Sequence, residues 1–210
     1  MATAQSDPYL SLRYKKFRFY ILARFLITMA LTMQAVIIGY EVYELSNSKL
    51  LLGLIGLAEA LPAIGNALYG GYVADKSEKR TMMVLYISLY TLMCAMLLFF
   101  THTSTITSMG NKNVLLIIFA AIFFTGIARS FYSPASFGLV AQLIPREMYQ
   151  NAVIWSSAAW QSGAVLGPAL GGILLGKLGI TNAFTIILIF LGIAIFCLLQ
   201  IEKKPIQYVP

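Results

Sequence analysis

The stretch ITNAFTIILIFLGIAIFCLLQI, residues 180–201, runs for 22 residues without a single Asp, Glu, Lys or Arg. A helix of about 20 apolar residues crosses the hydrocarbon core of a bilayer. Backbone amides in hydrocarbon need internal partners, so only helices and closed barrels cross it, and barrel strands are about 10 residues long with alternating polarity. The stretch therefore predicts a transmembrane helix.

Five further apolar runs precede this one. The chain of 210 residues is 59% hydrophobic and 11% charged, whereas an average soluble domain has about 25% charged residues. The predicted spans are 19–44, 50–74, 81–101, 113–140, 150–176 and 180–201. Because the connections are short and polar, including the stretch from Thr103 to Lys112, no soluble domain fits between them. We predict an all-α, polytopic membrane protein with six transmembrane helices.

The predicted domain organisation follows from these spans. Residues 1–18 form an N-terminal segment, residues 19–201 a six-helix transmembrane domain, and residues 202–210 the start of an interdomain linker. The first run of about 26 residues contains Arg24 and has no small-residue cleavage site after a short core. It is therefore not expected to be a cleavable signal.

The basic residues are distributed unevenly along the chain, which has a net charge of +7. Ten of its 15 Lys and Arg residues fall on the side that carries both termini, three on the opposite side and two inside spans. The ten are Arg13, Lys15, Lys16, Arg18, Lys76, Lys79, Arg80, Arg146, Lys203 and Lys204. This is the positive-inside pattern. It predicts that both termini are cytoplasmic and accounts for the positive charge with the lipid bilayer as partner and no nucleic acid.

A shift of 101 residues aligns the chain with itself. AIGNALYGGYVADK at 63–76 then lies over AVLGPALGGILLGK at 164–177, and the paired glycines coincide. The first segment ends a span running inward and the second ends a span running outward. This predicts two inverted three-helix repeats, 19–101 and 113–201. The alternative is that helices rich in small residues resemble each other by chance.

Polar side chains inside the spans are energetically costly and generally face a cavity or each other. The candidate cavity residues are Arg24, Thr28 and Thr32 in the first span, Glu59 and Asn66 in the second, Arg129 and Ser133 in the fourth, and Gln161 in the fifth. Spacings of three and four residues place those of one span on one helical face. At about 1.5 Å per residue, Arg24 and Arg129 are expected to flank one cavity open to the cytoplasm. They would bind an anionic substrate group or a movable carboxylate, or else merely orient the helices through local pairing.

Glu59 precedes Asp75 by 16 residues and so lies roughly 24 Å deeper along a straight helix. We therefore place it in the outer half of the membrane and do not expect it to contact Arg24 directly. As a carboxylate inside a span it is a candidate protonatable coupling group. The alternative is a carboxyl group held neutral by desolvation and simply hydrogen-bonded.

The passage GGYVADKSEKR, residues 70–80, concentrates mixed charge behind two glycines. Gly71 allows close approach to a neighbouring helix, and Asp75 at a helix C-terminus needs cations or a helix N-terminus nearby. The passage resembles the cytoplasmic signature of the major facilitator superfamily, with Glu78 where that family has glycine. The resemblance implies a cytoplasmic gate made of Gly71, Asp75, Lys76, Lys79 and Arg80. The alternative is an ordinary positive-inside loop, which would explain the cations but neither the glycines nor Asp75.

A second resemblance lies in the fifth span. Gly163, Gly167, Pro168, Gly171 and Gly172 are similar to the antiporter motif that the same superfamily associates with exporters. Glycines every fourth residue allow tight helix packing, and a proline removes one backbone hydrogen bond and permits a bend. Residues 43–68 further resemble the drug and siderophore exporter branch, which includes enterobactin exporters, and the whole resemblance covers about residues 15–204.

Members of this superfamily have twelve spans in two halves with the substrate between them. The resemblance implies that this six-span chain is an N-terminal half that needs a second half, in the same longer chain, in a separate chain or in a copy of itself. The implied function is secondary active transport by alternating access, with proton-coupled export of a small organic molecule such as a drug or siderophore across the bacterial inner membrane.

Two other functions compete with transport. A non-transporting regulatory or assembly subunit would keep the fold and lose the coupling. An intramembrane enzyme ranks last, because the spans contain no nucleophile–base pair, HExxH or paired-Asp motif. No cofactor is expected, and Cys94 and Cys197 lack any Cys/His spacing typical of a metal site.

Overall fold

The computed structural model describes residues 9–203, and all regular structure in that range is helical. The helices are α1 (Lys15–Ser46), α2 (Lys49–Gly65), α3 (Ala67–Lys76), α4 (Lys79–Phe100), α5 (Thr103–Met109), α6 (Asn111–Leu143) and α7 (Tyr149–Leu199). Short 3-10 turns precede α1 at Ser11–Arg13 and α7 at Arg146–Met148. The predicted all-α class is confirmed. The polar connection from Thr103 to Lys112 contains the short helix α5. Lys204 lies outside the described residues.

Helix α1 supplies the centre of the core and packs against α2, α6 and α7. Its fully buried side chains recur every three or four residues, so they form one continuous stripe along the helix. They are Phe17, Tyr20, Ala23, Ile27, Ala30, Met33 and Ile37. Arg24, Thr28 and Thr32 form a second stripe on α1, which lies beside the buried one. Burial of the first stripe thus fixes the direction in which the polar stripe points.

The second predicted span is broken near Asn66. Helices α2 and α3 meet there at a bend of 51°. Pro62 lies inside α2 and cannot donate a backbone hydrogen bond, and Asn66 leaves the helical region with φ −97° and ψ 3°. Both the backbone amide and the Nδ2 of Asn66 donate to the Pro62 carbonyl, at 3.1 and 2.9 Å. Asn66 therefore stabilises the break rather than facing a cavity.

Helix α7 reverses direction at Gly179. This residue has φ 77° and ψ 172°, which is not a helical conformation and favours glycine. Asn151, near one end of α7, accepts a hydrogen bond from the Ser11 amide at 3.2 Å, whereas Glu202, beyond the other end, pairs with Lys16 at 2.6 Å. A straight helix would separate these ends by about 70 Å. The segments 149–178 and 180–199 are therefore two arms of a hairpin.

Within residues 9–203, four helices are long and apolar enough to span a membrane by length and composition, and the bent pair α2–α3 makes five if it counts as one span. The last of the four is the Arg146–Leu199 segment, which includes the hairpin at Gly179. Six spans remain a prediction, in keeping with a hairpin whose arms would each be one span. Outward-facing apolar side chains such as Leu68, which is 91% exposed, suit a lipid environment.

The two ends of the described range, residues 9–18 and 200–203, and the basic turns lie at one end of the bundle. We call this the charged end and define it as residues 9–18, 75–80, 145–151 and 200–203. Besides the contacts of Ser11 and Lys16, the guanidinium of Arg80 donates to the carbonyls of Leu198 and Leu199, both at 3.1 Å. At the opposite end, the Nδ2 of Asn111 donates to the Leu45 carbonyl at 3.2 Å. This arrangement brings together the described members of the basic set that the sequence assigned to the cytoplasm. The cytoplasmic orientation itself remains a prediction.

The two predicted repeats make reciprocal contacts. A Cβ added to Gly70 in α3 would lie 2.6 Å from the Ser130 carbonyl oxygen in α6, and one added to Gly171 in α7 would lie 3.1 Å from the Met33 Cα in α1. Each glycine-bearing helix thus packs closely against the first helix of the other repeat. The inverted-repeat relationship itself stays a prediction.

Candidate functional site

A cavity of about 570 Å³ opens between α1, α6 and the 149–178 arm of α7. Its polar lining consists of Arg24, Thr28, Thr32, Arg129, Ser133, Ser156 and Ser157. Its aromatic lining consists of Tyr132, Phe137, Tyr149 and Trp160. The structure therefore brings Arg24 and Arg129 to one cavity. Among the described residues that line it, none is acidic.

Arg24 is held at the cavity wall through hydrogen bonds from one nitrogen of its guanidinium group. Its Nη1 donates to the hydroxyl of Tyr20 at 2.9 Å and to the Oγ of Ser136 at 2.5 Å, and the group lies 5.9 Å from the ring centroid of Phe137. Its buried Nε has no hydrogen-bond partner among residues 9–203. Since none of these partners is anionic, the positive charge of Arg24 is not neutralised by the side chains that hold it. Sequence analysis missed Tyr20, although its position four residues before Arg24 on α1 was a usable signal.

Arg129 and Glu59 form an ion pair between α6 and α2. The Nη1 of Arg129 donates to the Oε1 of Glu59 at 2.6 Å. The sequence predicted both as cavity residues but not as partners. They also line a second cavity of about 130 Å³ that includes Gln34, Tyr90 and Thr125. Because Arg129 lines both cavities, the ion pair stands at the boundary between them.

Gly126 positions Glu59, and sequence analysis did not single it out. A Cβ at Gly126 would overlap the backbone oxygen of Glu59 and lie 2.7 Å from the Cγ of Pro62. The absent side chain lets α2 approach α6 one helical turn before Arg129. The usable signal was a small residue three positions from a charged one on the same helix.

The predicted antiporter motif packs against α1 through three of its glycines. A Cβ on Gly163 would lie 2.9 Å from the Cβ of Thr28, and a Cβ on Gly167 would overlap the Oγ1 of Thr32. Gly171 continues this contact one turn further. By contrast, a Cβ on Gly172 would meet nothing within 4 Å, and α7 stays helical through Pro168. The stripe 163–167–171 therefore places the polar face of α1 against α7.

Two predicted cavity residues lie elsewhere. Asn66 caps the break between α2 and α3, and Gln161 is exposed on the surface of α7. Neither lines the two cavities described above. Their assignment to the cavity fails because the bend at Asn66 and the rotation of α7 were not readable from spacing alone.

The charged turn between α3 and α4 is tied to its neighbours mainly by lysine and arginine. Lys79 donates to the Ala74 carbonyl at the end of α3 and packs against Gly138 of α6, where an added Cβ would lie 2.9 Å from its Cε. Arg80 binds the last carbonyls of α7, a favourable place for a cation at a helix C-terminus. The charged turn thus links α3, α4, α6 and α7 at the charged end.

Three members of the predicted gate behave differently from their expected roles. Asp75 is exposed and makes no ion pair within 4 Å among the described residues. Lys76 lies over the ring of Tyr72, 4.3 Å from its centroid. A Cβ on Gly71 would meet nothing within 4 Å, so the close helix approach expected of Gly71 is made by Gly70 instead.

Glu78, the departure from the family signature, is the N-cap of α4. Its carboxylate accepts hydrogen bonds from the Arg80 amide at 3.1 Å, from the Thr81 amide at 2.8 Å and from the Thr81 hydroxyl. Its φ of −69° requires no glycine. Partial burial raises the pKa of Glu78, but the hydrogen bonds from Thr81 and Arg80 outweigh it and hold this pKa below its usual range. The turn therefore forms with a capping carboxylate in place of the glycine.

We expect Glu78→Ala to destabilise the chain by about 1 kcal/mol at neutral pH, the usual loss for an N-cap. Because the folded-state pKa is depressed, the stabilisation is present above the pKa of the unfolded chain, about 4.3, and disappears as pH falls through the folded-state value. Unfolding in detergent, followed by circular dichroism at several pH values, measures this. Glu147→Ala, at an exposed carboxylate of the same end, is the matched control. If Glu78→Ala lowers the free energy of unfolding by the same amount at the lowest pH as at neutral pH, the capping role of the Glu78 carboxylate is wrong.

Comparison with known families identifies the class of protein that this helical bundle represents. The sequence model of the Major Facilitator Superfamily matches residues 20–209. The chain belongs to this superfamily, and with its apolar helices it is a multi-pass membrane protein.

Individual relatives are more distant. The chain is 27% identical over 144 residues to the uncharacterized MFS-type transporter YfiS of Bacillus subtilis (strain 168), covering 69% of this chain and 32% of YfiS. It is 31% identical over 121 residues to the putative multidrug resistance protein MdtD of Citrobacter koseri, covering 58% and 22%. It is 29% identical over 142 residues to the multi-drug resistance efflux pump PmrA homolog of Lactococcus lactis, covering 66% and 32%. The matched region spans about a third or less of each relative.

Proposed function

We propose that the chain is the N-terminal half of a secondary active transporter that exports small organic anions with an aromatic part, driven by protons. The observation that carries the substrate class is the larger cavity. It presents the guanidinium of Arg24 with no acidic side chain beside it among the described residues, together with hydroxyl groups and aromatic rings. A partly buried cation without a counter-ion favours an anionic ligand.

Family membership supports transport rather than enzymatic catalysis. Two of the relatives carry names that describe multidrug resistance or efflux. Those names support an exported organic substrate for this chain as well. The orientation that we propose, with both termini cytoplasmic in a bacterial inner membrane, rests on the excess of basic residues at the charged end.

The proposed proton coupling uses the Glu59–Arg129 ion pair. When Glu59 is ionised, it holds Arg129 at the boundary of the two cavities. Protonation of Glu59 removes the charge that holds the guanidinium, so the ion pair between α2 and α6 breaks. We propose that the organic anion is bound while this pair is intact and leaves when Glu59 takes up a proton, which links proton uptake to anion release as exchange requires.

The proposed gate is the charged turn. Lys79 and Arg80 connect α4 to the ends of α3 and α7 through backbone carbonyls. Hydrogen bonds of this kind hold the charged end in one arrangement and break when the helices rotate apart. The exposed faces near Gly71 and Gly172, where added side chains would meet nothing within 4 Å, are available to a second six-helix half.

Transport in proteoliposomes tests this proposal. The chain is reconstituted alone and, where its gene continues past Pro210, as the full translation product. Movement of carboxyfluorescein, an aromatic anion, is compared with that of ethidium, an aromatic cation, under an imposed pH gradient. We expect preferential movement of carboxyfluorescein, and we expect Arg24→Gln to weaken its apparent affinity by about tenfold, since a hydrogen bond to a charged group is worth about 1.5–3 kcal/mol.

The matched control is Lys112→Gln, which removes the same charge from the opposite end of the bundle and should leave carboxyfluorescein transport unchanged. If ethidium moves as readily as carboxyfluorescein and Arg24→Gln has no effect, the organic-anion assignment is wrong. If no dye responds to the pH gradient in either preparation, the proposed proton-driven transport is wrong.

A further inference from the structure

A second groove, separate from the cavities above, lies between α1 and the 149–178 arm of α7. It encloses about 350 Å³ and none of its described lining residues is shared with the other two cavities. Arg18 lies at the charged end of this groove, and Leu22 and Phe25 continue its wall along α1. Ala158 and Ser162 of α7 form the facing wall, and their small side chains leave the groove open.

Arg18 is the charged group of this groove. It is exposed, and its guanidinium makes no hydrogen bond or ion pair among the described residues. Its neighbour Lys16, by contrast, is paired with Glu202 at 2.6 Å. Arg18 lies in the first turn of α1 and Phe25 lies seven residues further, so the groove extends roughly 10 Å from the cation into the bundle. The groove therefore has a cation at the charged end and apolar side chains along the rest of its α1 wall.

We propose that this groove binds an anionic phospholipid, with the phosphate at Arg18 and an acyl chain along Leu22, Phe25 and Ala158. The order of polarity matches that of a lipid, in which an anionic headgroup is followed at once by hydrocarbon. Trp155 lines the groove and its ring packs 5.7 Å from that of Tyr9. Aromatic rings of this kind are typical of the membrane–water interface, where a headgroup lies.

The charge of the surroundings supports a lipid as occupant. The charged end carries Arg13, Lys15, Lys16 and Arg18 within six residues of the α1 N-terminus. Clusters of basic residues directly beside a transmembrane helix attract anionic lipids. A soluble organic anion would bind Arg18 but would leave the apolar wall formed by Leu22 and Phe25 uncovered. A lipid covers both, and this inference is independent of the proposed transport function.

The two tryptophans of the chain allow a direct measurement. In Trp160→Phe, the remaining Trp155 reports on the groove alone. This variant is placed in phosphatidylcholine vesicles that contain increasing fractions of brominated phosphatidylglycerol, and quenching of Trp155 fluorescence gives the lipid association constant relative to phosphatidylcholine. We expect a preference for phosphatidylglycerol of about fivefold, the usual effect of one cation near a membrane surface. Adding Arg18→Gln should abolish this preference, so that phosphatidylglycerol and phosphatidylcholine associate about equally.

Lys15→Gln is the matched control for charge, because it removes one exposed cation three residues away that does not line the groove. It should retain the preference. Ala158→Leu, which fills the groove, should reduce quenching by brominated lipid, whereas Ala169→Leu on the exposed surface of the same helix should not. Circular dichroism of each variant confirms that the helices are intact.

Three outcomes would overturn the proposal. Equal loss of preference in Arg18→Gln and Lys15→Gln would show general surface attraction rather than a site. Trp155 quenching that does not distinguish phosphatidylglycerol from phosphatidylcholine would show no headgroup recognition. Relief of quenching by millimolar glycerol phosphate without any effect of Ala158→Leu would show a simple anion site in place of a lipid groove.

Discussion

Gly167→Ala is expected to loosen the contact between α1 and α7 and to lower the stability of the whole bundle. The new Cβ would overlap the Oγ1 of Thr32 and lie 2.9 Å from the backbone oxygen of Met29. Thr32 has little freedom to move, because its hydroxyl donates to the Thr28 carbonyl at 2.9 Å and its Oγ1 also lies 3.2 Å from the Gly163 carbonyl oxygen. The helices must therefore separate, at a cost of about 1–3 kcal/mol.

Gly172→Ala is the matched control, five residues further along the same helix. Nothing lies within 4 Å of a Cβ at this position. Since alanine favours helix over glycine by up to about 1 kcal/mol, this change should be neutral or stabilising. The two substitutions are chemically identical, so the structure predicts opposite signs for them from packing alone.

Thermal unfolding in detergent, detected with a thiol-reactive dye, measures both variants. Cys94 and Cys197 are free and buried, so they react only when the bundle opens. We expect the midpoint of Gly167→Ala to fall by about 5–10 °C. Equal midpoints for the two variants would contradict the packing between α1 and α7.

Glu59→Gln is expected to abolish proton-driven accumulation of the transported molecule, under the proposed function. Glutamine has nearly the volume of glutamate and its amide oxygen still accepts a hydrogen bond from Arg129, but it takes up no proton. In everted vesicles with an interior two pH units more acidic, one-for-one exchange sustains an accumulation of up to about 100-fold, since each pH unit is worth a factor of ten. In Glu59→Gln this ratio should fall to about onefold, while downhill movement persists.

Glu41→Gln is the control for loss of a carboxylate inside a helix. Glu41 is buried in α1 but lines neither the larger cavity nor the smaller one. Its replacement should leave the accumulation ratio intact. Retained accumulation in Glu59→Gln would refute the coupling role, and equal loss in both variants would point to damage of the fold.

Several features of the site were predictable and several were not. The one-face pattern of Arg24, Thr28 and Thr32 led directly to the cavity, because helical spacing is local. The pairing of Glu59 with Arg129 was not foreseen. The predicted fourth span ended at residue 140, whereas α6 extends to Leu143, so Arg129 lies further from the charged end than was counted. The 51° bend between α2 and α3 shortens the distance of Glu59 from that end.

The sequence by itself determined that this chain is helical and built for a bilayer, because the free energy of placing about 20 apolar residues in hydrocarbon depends on composition summed along a local segment. It also determined, from its motifs, membership of the superfamily, which the family comparison confirms. Tertiary structure alone decided which of two adjacent glycines touches a neighbour, Gly70 rather than Gly71 and Gly171 rather than Gly172. Adjacent residues differ by about 100° around a helix, so that choice depends on how each helix is rotated in the bundle.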